Sequence, residues 1–277
     1  YTLWHTLSLH DALPICLPAS ADYLFPGEQS HPAYSVSPGE RRSLDLSKTG
    51  GGVTLPGSER FDLAEKGWTI EAWIRPDAGD ADGDIFTYTI GDVTATSVGI
   101  RNRYPQVEVA TFSGTVTAGG AASGVSQLAN DTWTHVAASW DPDTQNLALY
   151  VDGVVEIATP LFGVPRSGFG TAQLGLDLTA GHLDELRVWE GGRSIANTDA
   201  DRLSTVQEGL RELVAYYRFD DGGDHIEDFG TRGVRGGRER ALDLWLGGEM
   251  IAGSANAKVV YGFDDVDNDL MADWFEA

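Results

Sequence analysis

Five acidic side chains near the C-terminus stand at intervals suited to a hard cation. In the run DDVDNDLMADWFEA, Asp265, Asp267, Asp269, Asp273 and Glu276 occupy positions 1, 3, 5, 9 and 12 counted from Asp265. That is the ligand register of a twelve-residue calcium loop, whose cation takes roughly six to eight oxygens. Met271, at position 7, would add its backbone carbonyl, and Glu276 could chelate through both oxygens. Such loops place glycine at position 6, where this chain has Leu270, a residue that resists positive φ. The expected site is therefore weakened, and the competing reading is a merely solvated acidic end. One residue follows Glu276, so the expectation is a truncated repeat.

The elements upstream read as strands. WTIEAWIRP alternates with period two, placing Trp68, Ile70, Ala72 and Ile74 on one face and Thr69, Glu71, Trp73 and Arg75 on the other. WTHVAASWD and NLALYVDG follow, joined by DPDTQ, and Asp152-Gly153 marks a tight hairpin into VVEIA. Further strands are predicted at 85–90, 97–101, 106–112, 171–177 and 182–189. The segments ALDLWLG and AKVVYGF supply two last ones. One segment reads as helical, TDADRLSTVQEGL, opening with the capping-box spacing Thr198-x-x-Asp201. The loops PDAGDADGD and AGGAASG lie between strands, where binding loops of a sandwich collect. Many short strands, Gly and Asp turns and one short helix predict an all-β sandwich or barrel.

Composition narrows the partners. The chain has 277 residues, 34 glycines, 8 tryptophans, 2 methionines and a formal charge of −23. Such an acidic excess argues against nucleic acid or an anionic membrane and fits a secreted protein that holds cations, or solubility alone. No stretch reaches the roughly 18–20 apolar residues of a membrane span, so membrane insertion is not expected. Cys16 is the sole cysteine, so no intrachain disulfide can form. Residues 1–16 (YTLWHTLSLHDALPIC) fit nothing downstream, and TLSLHDALPI resembles a translated sequencing adapter. Ala19-Ser20-Ala21 has the A-x-A form of a signal-peptide end, so residues 1–21 are set apart as non-native stretch plus remnant, and export is expected.

Taken in order, WTIEAWIRP, WTHVAASWDPDTQNLALYVDG, GHLDELRVWEGGRS and LVAYYRFDDG resemble the laminin-G-like domains of the concanavalin A-like lectin and glucanase superfamily, over roughly residues 43–220. The acidic tail resembles a bacterial thrombospondin type 3-like calcium repeat. The resemblance implies a two-sheet antiparallel jelly-roll sandwich with one short helix and a C-terminal calcium-loop tail. Its expected divisions are 22–220 for the jelly roll, 221–263 for an extension packing on or continuing it, and 264–277 for the repeat. It implies glycan, extracellular protein or calcium as ligand, with an extracellular or cell-surface location.

Asp184 is the candidate inside the sandwich. In HLDELRVW, alternation puts His182, Asp184, Leu186 and Val188 on one side, and the two aliphatic residues mark that side as buried. A buried carboxylate needs a cation, a metal or several N–H donors, because bare burial costs several kcal/mol. Asp184 is thus either a hydrogen-bonded rim residue or a calcium ligand, the second also implied by the resemblance. Asp45, in SLDLS, is the candidate companion ligand. His135 and the indoles of Trp68, Trp133 and Trp140 are assigned to the fold. Trp73 and Trp189 fall opposite the faces read as buried; partial packing is the expectation, and an exposed indole there would stack on sugar.

The laminarinase-type members of the superfamily carry Glu-x-Asp-x-x-Glu on one strand. The nearest match, His182 to Arg187, lacks both outer acids. The expectation is a non-catalytic binding module of a larger bacterial extracellular protein, most plainly carbohydrate-binding and calcium-stabilised. The alternatives are an adhesive protein-interaction domain or an accessory domain of a secreted glycoside hydrolase. Exposed aromatic rings beside polar groups in one loop cluster would favour glycan, and a broad flat apolar patch would favour protein.

Overall fold

The computed structural model describes residues 42–46, 52–55, 58–77, 82–178, 181–203, 206, 210, 212–219, 225–226, 228–230, 244–245 and 259–261. The tail carrying Asp265, Asp267, Asp269, Met271, Asp273 and Glu276 lies outside these residues, as does the stretch before residue 42.

Two antiparallel sheets stack face to face as a jelly-roll sandwich. With strands numbered along the chain, the larger sheet holds β1 (Arg42–Asp45), β3 (Trp68–Arg75), β8 (Thr134–Asp141), β9 (Asn146–Val151), β10 (Val154–Pro160), β12 (His182–Glu190), β13 (Leu213–Tyr217) and β16 (Val259–Tyr261). Its order is β10-β9-β8-β3-β12-β1-β16, and β13 pairs with the second half of β12. The smaller sheet holds β2 (Val53–Thr54), β4 (Gly83–Ile90), β5 (Val93–Arg101), β6 (Tyr104–Thr111), β7 (Gly114–Gly119) and β11 (Thr171–Leu176). Its order is β2-β11-β4-β5-β6-β7. Strands β14 (His225–Ile226) and β15 (Leu244–Trp245) form a separate pair. Among the described residues no helix is long and apolar enough to cross a membrane.

The predicted alternation builds the core. Ile70, Ala72 and Ile74 of β3 meet Val136, Ala138, Leu147, Leu149 and Val188 of their own sheet and Phe86, Val98, Val107 and Leu174 of the other. The hairpin at Asp152-Gly153 forms with Val151 opposite Val154 and both turn residues at positive φ, 47° and 76°, as a two-residue primed turn demands.

The larger sheet is also buried on its outer face, so β3 and β12 are inaccessible on both sides. The cover includes α1 (Ile195–Asp201) and Val206. Ile195 packs on Ala137, Ala148 and Tyr150, and Val206 packs with Trp189, Leu213 and Tyr216. The helix differs from its predicted extent. Ser194 is the N-cap, its hydroxyl accepting from Asn197 N, while Thr198 is buried within the helix and donates back to Ser194 O. The earlier serine outcompetes the predicted capping box because its extended φ/ψ lets the side chain reach the free N–H groups.

Strand β12 carries the second difference. Its pairing with β3 slips between Asp184 and Arg187, and Glu185 adopts a left-handed φ of 50°. This bulge breaks the alternation assumed for HLDELRVW. Leu183 faces the core before it, and Leu186 and Val188 face the core after it. Asp184 therefore lies opposite Leu186 and Val188, on the outer face, in register with Trp73.

Candidate functional site on the smaller sheet

The outer face of the six-stranded sheet is built differently from that of the larger one. Cross-strand register aligns Thr54, Gln173, Thr87, Ser97, Glu108 and Thr117 side by side, one from each of β2, β11, β4, β5, β6 and β7. These residues alternate with the inward row Leu174, Phe86, Val98, Val107 and Ala118, so they point outward. A second outward row aligns Asp84, Gly99, Gln106 and Gly119. At the centre of the face Thr87 and Ser97 are buried, at 1% and 4% exposure, while Gln173, Gln106 and Glu108 are half-buried and Thr117 is exposed.

The rows are cross-braced. Asp84 Oδ1 accepts from Ser97 Oγ at 2.6 Å and from Arg101 Nη2 at 2.7 Å, and Arg101 Nη1 donates to Gly83 O at 2.8 Å. Gln106 Nε2 donates to Glu108 Oε1 at 2.6 Å. These bonds fix a carboxylate, a guanidinium and an amide in orientation, which lowers the entropy lost on binding. Gly99 keeps the surface low between Asp84 and Arg101, because a Cβ there would stand 2.4 Å from Asp84 Oδ1. The buried Thr87 Oγ1, at the centre of the first row, has no hydrogen-bond partner among the described residues.

Three phenyl rings project at one end of this sheet. Phe112, in the turn between β6 and β7, is 66% exposed; Phe162 and Phe169, in the segment 161–170, are 77% and 91% exposed. Phe112 N donates to Val164 O, Arg166 N donates to Ala110 O, and the Arg166 guanidinium lies 5.2 Å from the Phe112 ring centroid. Asp62 Oδ2 accepts from Gly168 N at 2.8 Å and Ser167 Oγ at 3.0 Å. The segment is thus held by polar bonds while its rings stay in water, an arrangement of aromatic faces beside charged and hydroxyl groups that suits sugar rings. The sequence reading did not single out these rings, because an isolated Phe in a loop has no periodicity to betray its exposure.

The anticipated residues of the larger sheet are enclosed instead. Asp184 is 1% exposed, and its Oδ1 accepts from Glu185 N at 2.8 Å. Of Asp45 the backbone is described, opposite His182 on β12. Among the described residues no three carboxylate, imidazole or thiol side chains converge. Trp73 and Trp189 are buried beneath the cover, donating to Arg202 O and Glu71 Oε1, and are not sugar platforms.

A charge network lies beside them. Glu71 Oε2 is 3.3 Å from His135 Nε2, and Glu71 Oε1 is 3.8 Å from Arg187 Nη1. Arg187 Nη2 and Tyr216 Oη each donate to Glu185 Oε2 at 2.5 Å. Burial pushes the Glu71 carboxyl up, but His135, Arg187 and the Trp189 N–H together outweigh it and hold the group below its ordinary range. Burial and then the Glu185 charge raise the Tyr216 hydroxyl, so it remains a donor. Glu185 is thereby committed to its neighbours and buried, as are the other residues of Leu183–Arg187 in the stretch that came nearest to a hydrolase signature.

Comparison with known proteins agrees with this architecture. The sequence pattern of the concanavalin A-like lectin/glucanases superfamily, in its laminin-G form, matches residues 47–196, and the chain belongs to that superfamily. Among curated proteins none matches the chain. A solved structure from Bacteroides ovatus, assigned as carbohydrate binding, has 17% identity and a TM-score of 0.56 over 79% of this chain and 59% of its own. The chain therefore spans about three fifths of that protein. The CBM40 module of the Ruminococcus gnavus IT-sialidase, solved with α2,3-sialyllactose, has 16% identity and a TM-score of 0.44 over 57% of this chain and 90% of its own.

Proposed function

We propose that this chain is a non-catalytic carbohydrate-binding module of a bacterial extracellular protein, and that glycan lies on the outer face of the six-stranded sheet. The observation that carries the reading is the polar row running across all six strands, with Gln173, Glu108 and Thr117 reaching solvent. Membership of a lectin-containing superfamily supports it, and so do the exposed rings of Phe112, Phe162 and Phe169 at the end of the same sheet. Glu108, Gln106, Gln173 and the Asp84–Arg101 pair would bond sugar hydroxyls, and the phenyl rings would cover the C–H faces of residues further along the chain. The acidic register from Asp265 to Glu276 supports calcium binding by the tail, and the charge of −23 supports an extracellular setting.

Affinity electrophoresis through gels loaded with single soluble polysaccharides tests the reading. Retardation by at least one, lost in Gln106→Ala/Glu108→Ala at unchanged melting temperature, is the expected result. No retardation by any, together with capture of a cell-surface protein that needs the phenyl rings, would replace it with the adhesive reading.

A further inference from the structure

A cleft of about 320 Å³ opens on the opposite side of the molecule, on the outer face of the larger sheet between β8–β10 and the segment Gly192–Ile195. The helix α1 meets β10 near its start, and the cleft lies beside the segment leading into the helix. The floor is apolar: Ala148 and Tyr150 of β9, Val155 and Ala158 of β10, with Ile195 as a wall. Val155 is nearly half exposed, which is unusual for a valine pointing into a recess. The polar lining is Ser139, Asp141, Thr144, Asn146, Ser194 and Arg193, whose guanidinium is paired with Asp201.

The rim groups are held in place. Asp141 Oδ1 accepts from Asp143 N at 2.9 Å, and Oδ2 accepts from Thr144 Oγ1 at 2.8 Å, so the carboxylate cannot swing. Each oxygen keeps acceptor capacity beyond those bonds. Burial and the Asp141 charge raise the Tyr150 hydroxyl, which stays protonated and reaches Arg193 O at 3.4 Å. The Asn146 side chain is exposed at the mouth.

We infer that this cleft is a second carbohydrate site that takes one pyranose residue. The volume is at the lower end of small-ligand pockets, enough for one ring and too small for a chain. An apolar floor with a one-sided polar rim matches a pyranose, which has a C–H face and a hydroxyl edge. The rim mixes an acceptor carboxylate with hydroxyls and an amide that both donate and accept, as sugar hydroxyls do. An aliphatic amine would use Asp141 but leave those donors unmatched. The inference goes beyond the proposed function because the two sites face away from each other across a sandwich whose sheets are about 10 Å apart. One short oligosaccharide cannot fill both, so the module would bridge two glycan branches or chains, gaining avidity.

Saturation-transfer NMR on the full chain tests it, with D-glucose, D-galactose and N-acetyl-D-glucosamine as probes. Ala158→Trp fills the cleft from an exposed position on β10, and Asn146→Ala removes one exposed rim group. Both variants should weaken transfer to at least one probe about tenfold or more, while polysaccharide retardation persists. Glu108→Ala should do the reverse. If Ala158→Trp loses the fold, Asn146→Ala decides. Unchanged transfer in the cleft variants, or no transfer to any probe in the wild type, would overturn the inference. Loss of polysaccharide retardation in the wild type with transfer intact would overturn the six-stranded-sheet reading instead.

Discussion

The indole Nε1 of Trp189 donates to Glu71 Oε1 at 2.8 Å, and both side chains lie outside the sandwich core, on the far face of the larger sheet. This bond joins the strand WTIEAWIRP to the strand HLDELRVW through a carboxylate that also faces Arg187 and His135. Trp189→Phe keeps most of the ring volume and removes the donor. It should cost about 1–3 kcal/mol, since a buried carboxylate oxygen loses its closest partner. Chemical denaturation checks this.

Glu71→Ala should cost more, about 3–5 kcal/mol, because it leaves Arg187 buried against fewer counter-charges. In the double variant Glu71→Leu/Arg187→Met the two losses should be less than additive, although Glu185 then loses its cation. A double variant less stable than the sum of the two singles would contradict the pairing.

Acid should unfold the protein partly through this group. The folded pKa of Glu71 lies below its ordinary 4.5, so its contribution is full above about pH 4.5 and is lost as pH falls through the folded value. Wild-type stability measured against pH should fall in that window, and Glu71→Gln should flatten the fall. An equally steep fall in the variant would assign the acid loss to other carboxylates.

Gly153 should not tolerate a side chain. Its φ is +76°, and a Cβ there would stand 2.0 Å from Asp199 Oδ1 of α1. Gly153→Ala should therefore destabilise by about 1 kcal/mol or more, and Asp199→Ala in the same background should relieve part of it. Thermal melts of the four proteins check the coupling.

Calcium uptake should follow the tail. Calorimetry on the full chain should show binding that Asp267→Ala and Glu276→Ala remove and Asp184→Asn leaves intact. Binding lost only in Asp184→Asn would return the ion to the sandwich.

Much of this architecture is legible in the sequence, because period-two alternation and Asp-Gly turns act locally. β3, β8, β9 and the hairpin into β10 stand where alternation puts them. β7 was not anticipated, since GTVTAG is small and polar and its place is set by pairing with β6. The face of Asp184 was misread because a bulge inverts alternation without leaving a glycine or proline in the sequence. Neither candidate binding surface could be read in advance. The polar row Thr54–Gln173–Thr87–Ser97–Glu108–Thr117 exists only through cross-strand register, and the cleft only through how Gly192–Ile195 pack beside β8–β10.

The most direct test of glycan binding on the six-stranded sheet is calorimetric titration of the wild type and Gln106→Ala/Glu108→Ala with the polysaccharide that most retards the wild type. The account predicts saturable binding to the wild type, and affinity about tenfold weaker or worse in the variant at an unchanged melting temperature. Equal affinity in the two proteins would contradict it and place the glycan elsewhere on the molecule.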